Sequence, residues 1–303
     1  MRHIGIPRAL YYFHFHELWQ RYLQDLGLEV VVSPPTNKTI LELGLTNCVD
    51  GACLAIKSYV GHALYLAQQG VSLLFAPQVI SISHKEYTCP SLLGLPDLLR
   101  QYVPPSTEIF APVLDARKGE RALALCYRRL GKTFAPGSIV RQAWNQAHKA
   151  QLAWEQSLWL PNDNSQELKV LLLGPRYLTD DPFLSGNIIH RLEGLGMRVY
   201  TAAQVRGGRM SPQSRTAEKR LFWSNARQSV GALEHFVDQV NGVVSLAPFG
   251  CGAESFVVAL VERRARNQGL PSLTVNLDEH TSTLGMMTRL EAFCDLLERK
   301  ESG

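Results

Sequence analysis

Three cysteines occupy turn-like segments of this 303-residue chain: Cys53 in D-G-A-C-L-A-I-K, Cys89 in Y-T-C-P-S-L-L-G-L-P-D, and Cys251 in A-P-F-G-C-G-A-E-S-F. Each reads as a point where a hydrophobic strand runs into a glycine- or proline-marked turn and then a helix. In an open α/β sheet such turns line the ligand-binding crevice, so three thiols there can converge on one object. An iron–sulfur cluster is the natural candidate. The competing reading is plain packing, because free cysteine is among the most buried residue types and behaves as a small hydrophobe. No compact zinc-finger or ferredoxin spacing is present, and Cys48 with Cys53 forms a C-x4-C pair without a second pair. Cys126 in R-A-L-A-L-C-Y-R-R-L and Cys294 in L-E-A-F-C-D-L-L-E fall on apolar helical stripes and read as core.

The elements that must position these thiols alternate along the chain. H-I-G-I-P reads as a strand, Ala9 to Leu26 as an amphipathic helix, L-E-V-V-V-S as a second strand, Asn37 to Leu43 as a short helix, Cys53 to Gln69 as a longer one and V-S-L-L-F-A-P as a third strand. From about Asp115 to Gln156 the pattern is purely helical, broken at Ala135-Pro136-Gly137. Alternation then restarts: K-V-L-L-L-G-P, a helix near Gly186 to Leu195, M-R-V-Y-T, a helix from Thr216 to Gln239, G-V-V-S-L-A-P, a helix from Glu254 to Asn267, S-L-T-V-N-L, and a last helix from Met286 to Lys300. The expected fold is α/β: two Rossmann-like (flavodoxin-like) parallel-sheet lobes, 1–114 and 166–303, joined by a helical connector, 115–165. Binding sites favour the cleft between such lobes.

Composition excludes several classes. A hydrophobic share of 46% supports a large core rather than disorder. The amino terminus M-R-H-I-G-I-P-R lacks the apolar run of a signal peptide and the longest apolar stretches are strand-length, so a cytoplasmic protein with reduced thiols is expected. The net charge of +4 is concentrated between Val205 and Gln228, where Arg206, Arg209, Arg215, Lys219, Arg220 and Arg227 face only Glu218. That segment could dock an acidic partner, a nucleotide or a coenzyme A phosphate, or be a solvated helical face on which Phe222 or Trp223 anchors the helix. Nucleic acid and membrane partners are not expected.

The segments G-I-P-R-A-L-Y-Y, V-S-P-P-T-N-K, C-L-A-I-K-S-Y-V-G-H-A-L, C-P-S-L-L-G-L-P-D, F-G-C-G-A-E-S and D-E-H-T-S-T-L-G-M-M-T-R-L-E-A-F occur in one order across nearly the whole chain. Together they resemble the activase-associated branch of the 2-hydroxyacyl-CoA dehydratase family. The resemblance implies a [4Fe-4S] cluster, or a sulfide-bridged [8Fe-9S] double cubane in close relatives, with Cys53, Cys89 and Cys251 matching the ligand positions. Cys48, Cys126 and Cys294 lie outside the motifs. It also implies low-potential electrons from an ATP-hydrolysing activase, reductive chemistry on a small molecule or CoA-ester, and a homologous cluster-binding subunit or a second copy as partner. The chain has no G-x-x-x-x-G-K-[ST] phosphate loop and is not expected to be the ATPase itself. His84, Lys85, Glu86, Glu254 and Ser255 are candidates to serve the iron that three cysteines leave without a thiolate, and D-E-H-T, Asp278 to Thr281 with His280, is a candidate proton relay or a loop brace. Whether the protein is a reductase or lyase component, a non-catalytic cluster carrier that docks a larger enzyme, or a metal-free binder of flavodoxin-like architecture stays open on the sequence.

Overall fold

The computed structural model describes residues 2–159, 167–205, 221–279 and 283–301. Two compact units emerge, one of Met1–Ser157 with Phe222–Ser224, the other of Leu158–Leu221 with Asn225–Gly303. The first holds β1 (His3–Ile6), α1 (Tyr12–Asp25), β2 (Glu29–Val32), α2 (Lys38–Asn47), α3 (Leu54–Gln68), β3 (Leu73–Phe75), β4 (Gln78–Ser81), α4 (Pro90–Leu93), α5 (Leu95–Tyr102), β5 (Glu108–Phe110), β6 (Val113–Asp115), α6 (Glu120–Gly131) and α7 (Gly137–Ser157). The second holds β7 (Leu168–Leu173), α8 (Arg176–Thr179), α9 (Ile188–Gly194), β8 (Met197–Thr201), α10 (Ser224–Phe236), β9 (Gly242–Pro248), α11 (Gly252–Asn267), β10 (Ser272–Leu277) and α12 (Thr283–Glu301). Among the described residues no helix is long and apolar enough to cross a membrane.

Each unit is built on a four-stranded, all-parallel sheet, ordered β2-β1-β3-β5 in the first and β10-β9-β7-β8 in the second. With strands numbered within each sheet, and the second read from its β8 edge, both run second, first, third, fourth, the start of the flavodoxin-like order. Two α/β lobes of one topology therefore stand where the alternation places them. A parallel sheet covered on both faces demands apolar strands, and β9 is buried along its whole length. Against β7 and β9, α10 and α11 contribute Val230, Leu233, Phe236, Val257 and Val261. Each such side chain stabilises the lobe by roughly 1.5–3 kcal/mol. Three short strands, β4, β5 and β6, escaped the hydrophobic pattern; β4 and β6 pair in parallel as a separate two-stranded sheet.

The helices at 115–165 are not a separate connector: α6 and α7 pack into the first unit. The reason is a break in α1. Phe15 leaves helical geometry at φ −131°, ψ 15°, which frees the amide of Leu18 and the carbonyl of His14 that would otherwise bond each other. Gln151 of α7 replaces that bond with its own amide, accepting from Leu18 N–H at 3.2 Å and donating to His14 O at 2.7 Å. A buried backbone pair must be satisfied by something, and here another helix does it. Trp19 Nε1 donates to Tyr127 Oη at 2.8 Å, and Trp144 stacks on Tyr127 with centroids 4.9 Å apart.

Candidate metal centre

Cys53 does not follow a strand, contrary to the sequence reading. It is the N-cap of α3 and follows α2, which extends to Asn47. The two helices form an antiparallel hairpin held at backbone contact: a Cβ on Gly44 would lie 1.8 Å from the Lys57 carbonyl oxygen, and one on Gly61 2.0 Å from that of Ile40. Only glycine fits at either position. Farther along α3, His62 is fully buried, with Nδ1 2.8 Å from Ser33 Oγ and Nε2 3.0 Å from Thr36 Oγ1. Burial, and secondarily the charge of Arg8, pushes this imidazole down to about 3. Ser33 and Thr36 follow the end of β2, and the turns of α3 before His62 set Cys53 roughly 13 Å along the helix from that contact at 1.5 Å per residue.

Cys89 is the N-cap of α4, which starts at Pro90. Its loop is held on several sides. Thr88 N–H donates to Ile80 O at 3.1 Å, and Lys85, itself at φ 57°, donates through N–H to Arg117 O at 3.1 Å. The Arg117 guanidinium forks onto Asp115 and lies 5.4 Å from the Tyr87 ring centroid. Tyr87 N–H donates to Phe222 O at 2.8 Å and Tyr87 O accepts from Ser224 N–H at 3.1 Å, so Phe222–Ser224 pairs with this loop. Phe222 and Trp223 are therefore strand-like and 61% and 37% exposed. They precede α10, which begins at Ser224, and residues 216–220 of the expected helix lie outside the described residues.

Cys251 sits where the sequence placed it. β9 ends at Pro248, Gly250 turns the chain at φ +72°, and Cys251 caps α11. Its N–H donates to Pro248 O at 3.2 Å, and its carbonyl accepts from Ser255 N–H at 2.9 Å and Ser255 Oγ at 2.8 Å. The Ser255 hydroxyl thus braces the helix start. Glu254, one turn into α11, is only 4% exposed and accepts a hydrogen bond from Asn225 Nδ2 at 3.2 Å. Burial pushes its carboxyl up from 4.5 to about 7, against the lowering effect of Asn225. Beside it lies a cavity of about 10 Å³ lined by Ser229, Ser245, Leu173, Val257 and Val261, and Ser245 Oγ finds no hydrogen-bond partner among the described residues.

The remaining candidates separate from these. His84 and Lys85 are exposed, and Glu86 is fully buried two residues before Thr88. Asp278 and Glu279 follow β10, half-buried; His280 and Thr281 lie outside the described residues. So do Arg206, Arg209, Arg215, Lys219 and Arg220 of the basic segment, whereas Arg227 lies on α10. Cys294 is buried on α12 and burial pushes its thiol up to about 11. Cys126 lies on α6 with Sγ 4.0 Å from Asp115 O. Cys48 is buried at the C-cap of α2 beside Tyr102 and Lys57, a neighbourhood that no local pattern in the sequence announces.

All six cysteines are outside disulfides, and Cys53, Cys89 and Cys251 share two features that the others lack together: each is partly exposed and each caps a helix amino terminus. Thiols in that setting suit thiolate ligation of iron in their chemistry. Two of them belong to the first unit and one to the second. Among the described residues no three His, Cys, Asp or Glu side chains stand together as a ready metal-binding group.

Fold and site together define a two-lobed α/β protein with flavodoxin-like sheets and cysteine-bearing turns. The chain belongs to the family described as CoA enzyme activase uncharacterised domain (DUF2229), whose model matches residues 3–205. That span holds Cys53 and Cys89 but not Cys251. No curated protein matches the sequence. Solved structures with some likeness include ZnuA (10% identity, 98% of each chain, TM-score 0.27). Others are a phosphosugar isomerase described as putative from Silicibacter pomeroyi (12% identity, 99% of this chain and 86% of that one, TM-score 0.22) and a similarly described two-component response regulator/GGDEF domain protein (14%, 98% and 100%, TM-score 0.23). At such scores these likenesses carry no argument.

Proposed function

We propose that this protein is an iron–sulfur component of a CoA-enzyme activase and dehydratase system, holding a [4Fe-4S] cluster through Cys53, Cys89 and Cys251. It takes low-potential electrons from an ATP-hydrolysing activase for reductive chemistry on a small molecule or CoA-ester. One observation carries the reading: the same three cysteines that match the ligand positions are the partly exposed ones at helix amino termini, while the other three lie on helices or at a helix carboxyl end. The family, described as an activase domain, supports the partner.

When bound, such a cluster accepts single electrons, and an iron without a cysteine ligand acts as a Lewis acid toward a substrate oxygen. The chain's own groups serve that chemistry. Cys53 and Cys251 cap helices of 15 and 16 residues, whose unpaired N–H groups and dipole favour an anionic group at their amino termini. Glycine on either side of Cys251 leaves that turn without side chains, since a Cβ at Gly250 or Gly252 would meet nothing within 4 Å. Glu254 remains a neutral acid up to about pH 7 and can donate a hydrogen bond one turn from Cys251.

Iron and acid-labile sulfide analysis of anaerobically purified protein tests this. About four of each per chain is the expected result for one cubane. Reduction by an activase with ATP, followed by turnover of a CoA-ester, distinguishes a catalytic component from a cluster carrier. A colourless protein without iron overturns the proposal.

A further inference from the structure

The α2–α3 hairpin fixes a register. Residue 40 faces 61 and residue 44 faces 57, through the two backbone contacts of Gly61 and Gly44. Each four-residue step forward along α2 is thus matched by a four-residue step back along α3. One more step, about a helical turn, sets Cys48 opposite Cys53. The chain between them reverses in a tight turn closed by Ala52 N–H donating to Val49 O at 2.9 Å, with the two cysteines flanking it. The thiols are close enough that Cys53 acts electrostatically on Cys48, and neither is in a disulfide.

We propose that Cys48 and Cys53 are a redox-active thiol pair that a low-molecular-weight disulfide closes into an intramolecular disulfide. The partly exposed Cys53 is the attacking thiol and Cys48, 8% exposed, the resolving one. Cys53 thiolate attacks the external disulfide RS–SR, forming Cys53–S–SR and releasing one RS⁻. Cys48 thiolate then attacks Cys53 Sγ and releases the second RS⁻. The two cysteine protons end on the two released thiols, so the pair loses two electrons and the external disulfide gains them. Burial pushes the Cys48 thiol up, and the Lys57 charge, one turn after Cys53 on α3, offsets only part of that. The backbone contacts at Gly44 and Gly61 hold the two caps in register, which favours the short Cα separation a disulfide needs. If the cluster reading above holds, on which this consequence rests, closing the pair removes a ligand: Cys53 in a disulfide cannot bind iron, and reduction restores it.

The full-length chain, freed of metal with a chelator and reduced, is incubated with glutathione disulfide, blocked with N-ethylmaleimide, digested with trypsin and mass-mapped. The expected result is a peptide ending at Lys57 that carries both cysteines, is lighter by two hydrogens, bears no maleimide and reverts with dithiothreitol. In Cys48→Ser the glutathione stays on Cys53 as a mixed disulfide, whereas Cys126→Ser behaves as wild type. Maleimide on both thiols after oxidation, or persistent glutathione on wild-type Cys53, overturns the pair. This readout needs no iron, so its failure is distinguishable from failure of the cluster reading, which the iron content of the anaerobically purified protein decides.

Discussion

The two lobes repeat one sheet order yet treat their cysteine-capped helices differently. α3 is buried over most of its length and locked to α2 by backbone contacts, and its one buried imidazole has both ring nitrogens within hydrogen-bonding distance of hydroxyls. α11 buries only Glu254, Val257, Val261 and Ala265, leaves Phe256 51% exposed, and sets a buried carboxyl beside a Ser245 hydroxyl without a hydrogen-bond partner among the described residues. The same topology can thus hold a polar group fully paired and rigid, or incompletely paired and ready to change protonation near neutral pH. Buried networks differ in this way because each unmade hydrogen bond leaves a desolvation cost uncompensated.

The sharpest way to break that contrast is to add a methyl group to each lobe. Gly61→Ala drives a Cβ to 2.0 Å from a backbone oxygen that cannot move without parting α2 from α3. Overpacking against side chains costs about 1–3 kcal/mol, and a backbone clash lies at or beyond the upper end. Gly252→Ala, at the start of α11, meets nothing within 4 Å and should change stability by less than about 0.5 kcal/mol. Urea unfolding of both variants checks this; equal midpoints would remove the idea of a clamped first lobe.

Next in size is the loss of metal. Cys53→Ala, Cys89→Ala and Cys251→Ala should each lower iron content by at least half, whereas Cys126→Ala and Cys294→Ala should keep it. Wild-type iron in the Cys89→Ala protein would sink the ligand assignment, and a loss confined to the first-lobe pair would assign the cluster to that lobe.

Buried acid and base should give the lobes opposite pH slopes. His62 is held down to about 3 from 6.5, so below pH 6.5 the unfolded chain binds a proton that the folded lobe refuses. First-lobe stability is then lost as pH falls toward 3, by about 1.4 kcal/mol per unit. Glu254 is held up to about 7 from 4.5, so between those values the folded lobe keeps a proton that the unfolded chain has released. Second-lobe stability is full below pH 4.5 and falls by roughly 3 kcal/mol as pH rises to 7. Glu254→Gln should flatten the second slope and leave the first. Unfolding followed between pH 5 and 7 reads this, and an unchanged slope in Glu254→Gln would show another group responsible.

The smallest effect belongs to the packed thiol of α12. Cys294→Ala removes one buried sulfur and should cost about 1 kcal/mol through the cavity it leaves, with no change in iron. A larger stability loss accompanied by iron loss would move Cys294 into the site.

Much of the fold was legible. β8, β9 and β10 fall on M-R-V-Y-T, G-V-V-S-L-A-P and S-L-T-V-N-L residue for residue; β9, buried along its whole length, reads as a near-continuous apolar run, and β8 and β10, at the sheet edges, as short β-branched segments between turn signals. β4, β5 and β6 were not, being three or four residues long and only partly buried. The place of Cys251, after a strand and a glycine turn, was legible. Cys53 was placed at a helix start but after a strand, since the reading ended the preceding helix at Leu43 and the structure carries it to Asn47.

The sequence by itself determined the order of strands and helices, the two-lobed parallel α/β plan and the placement of thiols at turns, because hydrophobic period and glycine or proline punctuation are local signals. Tertiary structure decided what those signals leave open. Gln151 joins α7 to α1 across more than a hundred residues, and Gly44 and Gly61 bring two backbones into contact. Asn225 and the walls of β7 and β9 set the protonation of Glu254. Contact, register and desolvation depend on which distant residues meet, and no window of neighbouring residues contains them.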